Sequence, residues 1–565
     1  MAFNMNVDLN QKLVEFLTSA EIVDNETIER GLNESEAEGV SLVEWLVSKD
    51  LVSAESLGGI VGDILGIPYV NLGREEIDTN IMKQIPETMA RAQKIVVFGE
   101  DENNIKVAMA EPGNEVTVDL LGKKFGKNVE KYYATETDIE AAMQYYASNL
   151  AEDLDNILEA HIQSAKGNSA EDAPIIDLVD TIISYAAHSR ASDIHIEPER
   201  EAALVRFRVD GILRDVVSLP RDIFEQVVVR IKVLAKLRTD EHMAPQDGKI
   251  SYQQEDEHYD IRVSLVPITV GEKVVMRILS DIAKKLSLHD LGFLGEDLEK
   301  LKLAYDKPHG MILSTGPTGS GKTTTMYAIL KLLNKEDVNI MTIEDPVEYE
   351  LPRVNQIQVN SKTNLTFAAG LRSIVRQDPD IILVGEIRDQ ETADIAVNSA
   401  MTGHLVLSTL HTNDAATALP RLLEMGVEPF LVSSTVNLII GQRLVRKICT
   451  ACRITEEHTK ADWKWENQVS VGLMEKVFGD KQVWTMYKGK GCPVCHGSGY
   501  AGRLGIYEVL VVDEQIRQTL MKKANAEELE QVAIQNGMRL MIEDGLEKVK
   551  QGMTTIEELL RVTME

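Results

Sequence analysis

The segment "GPTGSGKT", Gly316 to Thr323, fits the pattern G-x-x-x-x-G-K-[ST]. It follows an apolar strand pattern, "MILST", and opens a helical one, "KTTTMYAILKLL", which is the context the pattern needs to bind phosphate. Gly316, Gly319 and Gly321 let backbone N–H groups approach phosphate oxygens, and the helix N-terminus favours the anion. Lys322 is expected to reach the β- and γ-phosphates and the Thr323 hydroxyl to ligate magnesium. Pro317, Thr318, Ser320 and Thr324 complete the expected cradle.

Carboxylates follow at two further strand ends. In "TIEDPVEYE", Glu344, Asp345 and Glu348 gather where parallel strands present their carboxyl ends to a ligand. They read either as a solvated acidic turn or as groups that orient or activate an attacking water. In "RQDPDIILVGEIRD", Ile381 to Val384 read as a buried parallel strand. Many nucleotide hydrolases end such a strand with a magnesium-organising aspartate; here Gly385 stands in that place and Glu386 follows. The next strand, in "MTGHLVLSTLHTNDA", is bracketed by His404 and His411. The pair is read as lying on one sheet edge, with either a structural role or that of a γ-phosphate sensor. The string "NKED", Asn334 to Asp337, matches a guanine-reading signature, but it closes the helix the phosphate loop starts and reads as a polar helix end.

All four cysteines lie between residues 449 and 495, as Cys449-x-x-Cys452 and Cys492-x-x-Cys495. Two such knuckles can place four thiolates around one tetrahedral zinc, a closed structural site. The interval of residues 453–491 exceeds ordinary ribbon spacing, and four reduced core cysteines are the alternative. "CPVCHGSG" also resembles one zinc repeat of DnaJ-type chaperones, which carry several such repeats.

These groups need several domains to hold them, since 565 residues exceed one core. Apolar residues at 44% and charged ones at 26% fit a globular chain, whereas 5% aromatics leave little for base stacking. The net charge of −31 repels phosphate backbones and argues against nucleic-acid binding. No apolar run approaches 18 residues and "MAFNMNVDLNQ" is no signal peptide, so a cytosolic protein is expected.

The fold class read from pattern is multidomain α/β. Residues 1–145 are expected to form an N-terminal docking domain. It opens with a helical repeat, "LVEFLTSAEIV" against "LVEWLVSKDLV", followed by an α+β unit. An acidic, polar linker at 146–173 leads to an α+β domain at 174–281. There Asp210-Gly211 marks a hairpin, and Val205, Phe207 and Val209 oppose Arg206 and Arg208. Alternating strands and helices at 282–440 predict a parallel sheet covered on both faces. A cysteine module at 441–505 and a C-terminal helical bundle at 506–565 complete the expected order.

At this point the chain resembles the secretion ATPases of the type II secretion and type IV pilus systems, in the assembly and secretion branch. The resemblance rests on "GPTGSGKTTT", "TIEDPVEY", "LRSIVRQDPDIILVGEIRDQETA" and "TGHLVLSTLHTNDA", in that order. "SDIHIEP", "RFRVDG", "PQDG", "GEKVVMRIL", "GQRLVRK" and "GRLGIYEVL" add to it, over about residues 174–510. It implies a RecA-like P-loop core with a PAS-like upstream domain. It also implies ATP, magnesium and zinc as ligands, and a ring of six subunits. Glu348 matches the catalytic glutamate, with Glu344 beside it, and Glu386 matches the Walker B glutamate, a magnesium ligand. His404 and His411 match the histidine box. Arg262, Arg277 and Arg503 match arginines that reach nucleotide phosphates.

The implied function is a cytosolic motor at the inner face of the cytoplasmic membrane. It would turn an inner-membrane platform protein to drive pilin addition, with type II secretion as the alternative. The hinge is expected near Ile282 to Ser287. A non-enzymatic ring scaffold and a nucleic-acid translocase are the rival classes; the intact carboxylates oppose the first and the charge opposes the second. Many relatives bind cyclic di-GMP through repeated R-L-G segments. The equivalent positions here read "QKLVEFL" and "GVSLVEWL", without the arginine that would pair with phosphate. Weak or absent cyclic di-GMP binding is expected, with the repeat docking an inner-membrane assembly component instead.

Overall fold

The computed structural model describes residues 12–146 with short gaps at 19–22, 25–26, 29, 33–34, 36–40, 49–51, 53, 73–74, 76 and 144. It then describes 173–280 except 255–256, and 286–564 except 462, 464, 466–467, 493–494 and 496. Most of the expected linker, residues 147–172 of 146–173, and most of the expected hinge, residues 282–285 of 282–287, lie outside the described residues.

The helical repeat is visible in burial. Leu13 and Leu17 are the counterparts of Leu42 and Leu46, 29 residues on, and all four are at most 1% exposed. The four share one apolar cluster with Trp45, Leu57 and Val61. The α+β unit follows as strands β1 (Ile95–Glu100), β2 (Asn104–Met109) and β3 (Asn128–Tyr133). Strand β2 pairs antiparallel with β1 and parallel with β3.

The arginine-bearing domain is a six-stranded antiparallel sheet with two helices, α1 (Ala173–His188) and α2 (Arg221–Leu234), packed on one face. Its strands are β4 (Ala191–Pro198), β5 (Ala202–Val209), β6 (Ile212–Pro220), β7 (Gln246–Gln254), β8 (Glu257–Ile268) and β9 (Gly271–Ser280). They lie in the order β6-β5-β4-β9-β8-β7. The predicted alternation decides which face is buried: Val205 and Phe207 enter the core, and Arg206 and Arg208 stay on the polar face to pair with Asp215 and Asp193. Asp210 and Gly211, at φ of 49° and 87°, supply the left-handed turn that a two-residue hairpin demands.

The third layer system is a seven-stranded sheet. Its strands are β10 (Gly310–Thr315), β11 (Ile340–Glu344), β12 (Val354–Gln358), β13 (Ile381–Val384), β14 (Leu405–Leu410) and β15 (Val436–Ile448), with β18 (Tyr500–Val511) at one edge. The order is β12-β11-β13-β14-β10-β15-β18, and only β18 runs antiparallel to its neighbour. Helices α3 (Lys322–Leu333) and α4 (Gln390–Met401) cover opposite faces, one in each of two apolar clusters. Short apolar strands buried on both faces are what parallel sheets require.

Two expected borders shift. Strand β15 runs on to Ile448 and returns as β18, so a border at 440/441 falls inside a strand. The cysteine module, with its hairpin of β16 (Arg453–Thr459) and β17 (Val483–Gly489), is therefore an excursion from the far end of this ladder. The C-terminal helices do not make an independent bundle. Ile516, Leu520 and Leu529 join the core under the sheet, whereas Leu546, Val549 and Leu559 join the tryptophan-rich core of the module. Both cores offered apolar surface that a free-standing bundle would have had to supply for itself. Helix α5 (Met541–Lys550) is pinned to β18 by the buried Lys548, whose Nζ donates to Gly505 O at 2.8 Å and Asp544 Oδ2 at 2.6 Å. Burial raises the Asp544 carboxyl and lowers the Lys548 ammonium, and their mutual attraction opposes both shifts.

Candidate nucleotide site and tetrathiolate centre

The phosphate loop leaves β10 at Thr315 and enters α3 at Lys322, as its spacing predicts. Gly316, Gly319 and Gly321 all have positive φ. At Gly316 a Cβ would also stand 2.4 Å from the Gln442 carbonyl oxygen, so only glycine fits. Lys322 is buried, and its Nζ donates to the carbonyl oxygens of Gly316 at 2.7 Å and Pro317 at 3.0 Å. Burial lowers its pKa while the charge of Glu386 raises it, which places that carboxylate in the field of the loop. Pro317, Thr318, Gly319 and Thr323 are exposed, Thr324 is partly so, and Ser320 is buried. Asn334 follows the last residue of α3, so "NKED" is a helix end.

The strand-end carboxylates have separated roles. Glu344 is 3% exposed, and its carboxylate is held by the Thr342 hydroxyl at 2.6 Å, the Tyr327 hydroxyl and the Gln356 amide at 3.3 Å. Burial pushes its pKa up against these hydrogen bonds. Three donors thus hold this buried carboxylate in place at the strand end. Glu348 remains a third exposed, and its Oε2 meets Arg262 Nη1 at 3.0 Å. Arg262 also donates to the Val347 carbonyl oxygen and, at 3.4 Å, to that of Glu348. The smaller domain thus touches the seven-stranded sheet at a carboxylate that stays partly open to solvent.

Glu386 is 12% exposed and sits between Arg388 Nη2 at 2.5 Å and His411 Nε2 at 3.0 Å. A Cβ on Gly385 would stand 3.2 Å from Glu344 Cα and from the Ile343 carbonyl oxygen, a tight fit between β13 and β11. The carboxylate stands one residue on, at Glu386. Hard oxygen donors at Glu386 and Thr323 beside a phosphate loop suit magnesium.

Two expected members stand elsewhere. His404 and His411 lie at opposite ends of β14, roughly 20 Å apart at the strand rise. His404 Nδ1 meets the Ser399 carbonyl oxygen at 2.8 Å near the end of α4, on the Gly310 side of the sheet. Spacing that brackets a strand puts residues at its two ends, and of the pair His411 is the one that meets Glu386. Arg503 is exposed opposite Arg446 on the β15–β18 ladder, five residues from Glu508 and so roughly 17 Å from the ladder rung nearest the loop. Arg277 is the direct register partner of Arg262, yet its Nε pairs with Asp193 Oδ1 at 2.9 Å. Sequence reasoning overlooked Tyr327, Gln356 and Arg388; the first lies in an apolar helix pattern, the second belongs to no quoted motif, and Arg388 stands in the Glu386 motif without a role read from it.

The four cysteines do converge, with Sγ atoms all within 4.8 Å of one another. Cys449–Cys492, Cys452–Cys495 and Cys492–Cys495 are 3.8, 3.8 and 3.7 Å apart. Zinc–sulfur bonds of about 2.3 Å put the sulfurs of a tetrahedron about 3.8 Å apart, so the set fits zinc. Backbone N–H groups of Gly491 and Gly499 donate to Cys452 and Cys495 sulfurs at 3.3 and 3.2 Å, which favours thiolates. Shared hydrogen bonds push the Cys449 thiol up and pull Cys495 down, and burial pushes Cys452 up to about 11. The cysteines pack in one apolar cluster with the β1–β3 unit and Tyr145. Burial, together with the four sulfurs, pushes the Tyr145 phenol up to about 12.

Comparison with known proteins places this architecture. Residues 168–561 match the family described as Type II/IV secretion system protein, and residues 65–153 match the MshEN domain. The type IV pilus assembly ATPase PilB of Myxococcus xanthus (strain DK1622) is 38% identical over 565 residues, covering 98% of this chain and 99% of its own. The type II secretion system protein HxcR of Pseudomonas aeruginosa is 41% identical over 496 residues, covering 86% of this chain and all of its own (100%). Among solved structures, the Legionella pneumophila ATPase DotB superposes with a TM-score of 0.50 at 21% identity, over 68% of this chain and 95% of that one. That last likeness establishes a shared fold.

Proposed function

From the premise that this chain belongs to the type II/IV secretion ATPase family and hydrolyses ATP, we propose that it is the motor of type IV pilus assembly. The observation that carries the reading is the meeting of Arg262 and Glu348 across two domains beside the phosphate loop. The end-to-end match to a pilus assembly ATPase supports pilus assembly over secretion. A type II secretion ATPase is the second reading, favoured by the higher identity to the secretion relative.

In this reading Lys322 and the loop amides hold the β- and γ-phosphates. Glu348 orients the attacking water and accepts its proton. Glu386, held by His411 and Arg388, and Thr323 bind magnesium, which neutralises phosphate charge when present. Arg262 exchanges its carboxylate partner for a phosphate as the smaller domain closes, so hydrolysis becomes rigid-body motion. Arg277 follows from the same sheet, and Arg503 serves a neighbouring subunit's nucleotide in a six-membered ring. The motion turns an inner-membrane platform protein, with the N-terminal region docking on a further assembly component. Cyclic di-GMP binding is weak or absent, and zinc holds the cysteine module in a structural role. Among the described residues no helix is long and apolar enough to cross a membrane, which fits a peripheral position on its inner face.

Deletion of the gene is expected to remove surface filaments and leave exported enzymes at normal levels. A Lys322→Ala copy is expected to fail to restore the filaments. Loss of exported enzymes with filaments intact would transfer the assignment to type II secretion.

A further inference from the structure

Two buried polar side chains leave adjacent rungs of the β15–β18 ladder toward opposite faces of the sheet, outside every phosphate-binding motif. Gln442 is 1% exposed and Glu508 is 5% exposed. Glu508 pairs in register with Gly441, and Gln442 with Tyr507.

Gln442 grips the phosphate loop from beneath. Its Oε1 accepts from the Ser314 hydroxyl at 3.1 Å, and its Nε2 donates to the Ser320 carbonyl oxygen at 2.6 Å. Its own main-chain oxygen is the atom that leaves room only for glycine at 316. An amide suits this place because it offers one acceptor and one donor in fixed directions. A carboxylate would face the Ser320 carbonyl with a second acceptor.

Glu508 reaches the opposite wall. Its Oε1 accepts from the Ala415 N–H at 2.5 Å. Ala415 lies in the short loop after β14, residues 411–417, that starts with His411, the partner of Glu386. The other side of that loop is tied to β10, where the Thr315 hydroxyl donates to the Asp414 carbonyl oxygen at 3.2 Å. Space for Glu508 comes from Gly441, where any Cβ would stand 2.6 Å from the Glu508 Cγ. Burial pushes the Glu508 carboxyl up to about 7, with Asp414 and Glu530 acting in the same sense and the N–H groups of Ala415 and Met541 opposing. A neutral amide is therefore its closest substitute.

We propose that Gln442 and Glu508 are positioning residues for ATP hydrolysis: Gln442 sets the phosphate loop and Glu508 sets the His411 loop. The proposal rests on the ATPase reading above and deepens it. It assigns binding to one side chain and turnover to its neighbour, on two strands that carry none of the phosphate-loop or strand-end carboxylate motifs. Because the two touch different loops, their losses separate, whereas a merely structural role would move both kinetic constants alike.

The test is steady-state ATP hydrolysis by the purified full-length chain, with thermal melting of each variant alongside. Gln442→Glu is expected to raise KM for ATP by about 10-fold or more at little-changed kcat, since small misplacements of phosphate contacts carry large factors. Glu508→Ala is expected to lower kcat by about 10-fold at nearly constant KM, and the near-isosteric Glu508→Gln to recover most of it. Gln442→Met, which keeps the volume, repeats the KM effect should Gln442→Glu fail to fold. Unchanged constants in Gln442→Glu and Glu508→Ala would overturn the proposal. So would KM and kcat losses that track the melting temperature without separating. Absence of turnover in the unaltered chain would count against the ATPase reading itself.

Discussion

Replacing Glu348 with Gln is expected to leave ATP bound and to slow its hydrolysis by about 10²–10⁴-fold. Glu348 has solvent access, being a third exposed where Glu344 is buried. Proton acceptance needs a carboxylate that water can reach; Asp345 and Glu348 both qualify at the end of β11, and of these two Glu348 is the one that meets Arg262 of the smaller domain. The amide keeps the shape and can still accept from Arg262 Nη1, now 3.0 Å from Oε2, so domain contact survives while basicity is lost. Glu344→Gln is different in kind: it would disturb Tyr327 and Gln356 and act on kcat only through their packing. Single-turnover phosphate release, read against nucleotide binding, checks this. Wild-type release from Glu348→Gln would move the catalytic role elsewhere.

Loss of the tetrathiolate centre should have the largest effect on stability. Structural zinc sites contribute on the order of 10 kcal/mol, comparable to the whole folding free energy of a domain. The sulfur geometry fits zinc, and the centre caps the open end of the β15–β18 ladder. Cys449→Ser, or chelation of the metal, should therefore melt the module at residues 449–499. The β1–β3 unit should loosen with it, because its apolar cluster runs through all four cysteines. Zinc content near one ion per chain, and a fall in melting temperature when it is stripped, are the expected readings. An equally stable metal-free protein would contradict them.

The phosphate loop, the parallel strands and the cysteine pairs were legible because each depends on local spacing. Four apolar residues from Ile381 to Val384 could hardly be anything but a central strand, and they are wholly or nearly buried. The histidines misled for a physical reason. Equal flanking patterns at the two ends of β14 say nothing about which end faces the nucleotide, and strand polarity sends His404 to the far side. The place of Arg503 was equally hidden: its motif is contiguous with Glu508, yet the extended strand carries it away from this chain's own phosphate loop. The distinction between Glu344 and Glu348 was invisible too, since it turns on Tyr327 and Gln356, which approach from other elements. The tight approach of Gly385 to Glu344 Cα is a contact between strands that sequence spacing does not display.

The central claim is that this chain cleaves ATP at the loop from Gly316 to Thr323. Magnesium-dependent phosphate release by the purified protein, compared with Lys322→Ala, tests it most directly. The account predicts steady release from the unaltered chain and release at background level from Lys322→Ala. Release from Lys322→Ala at the unaltered rate would contradict it.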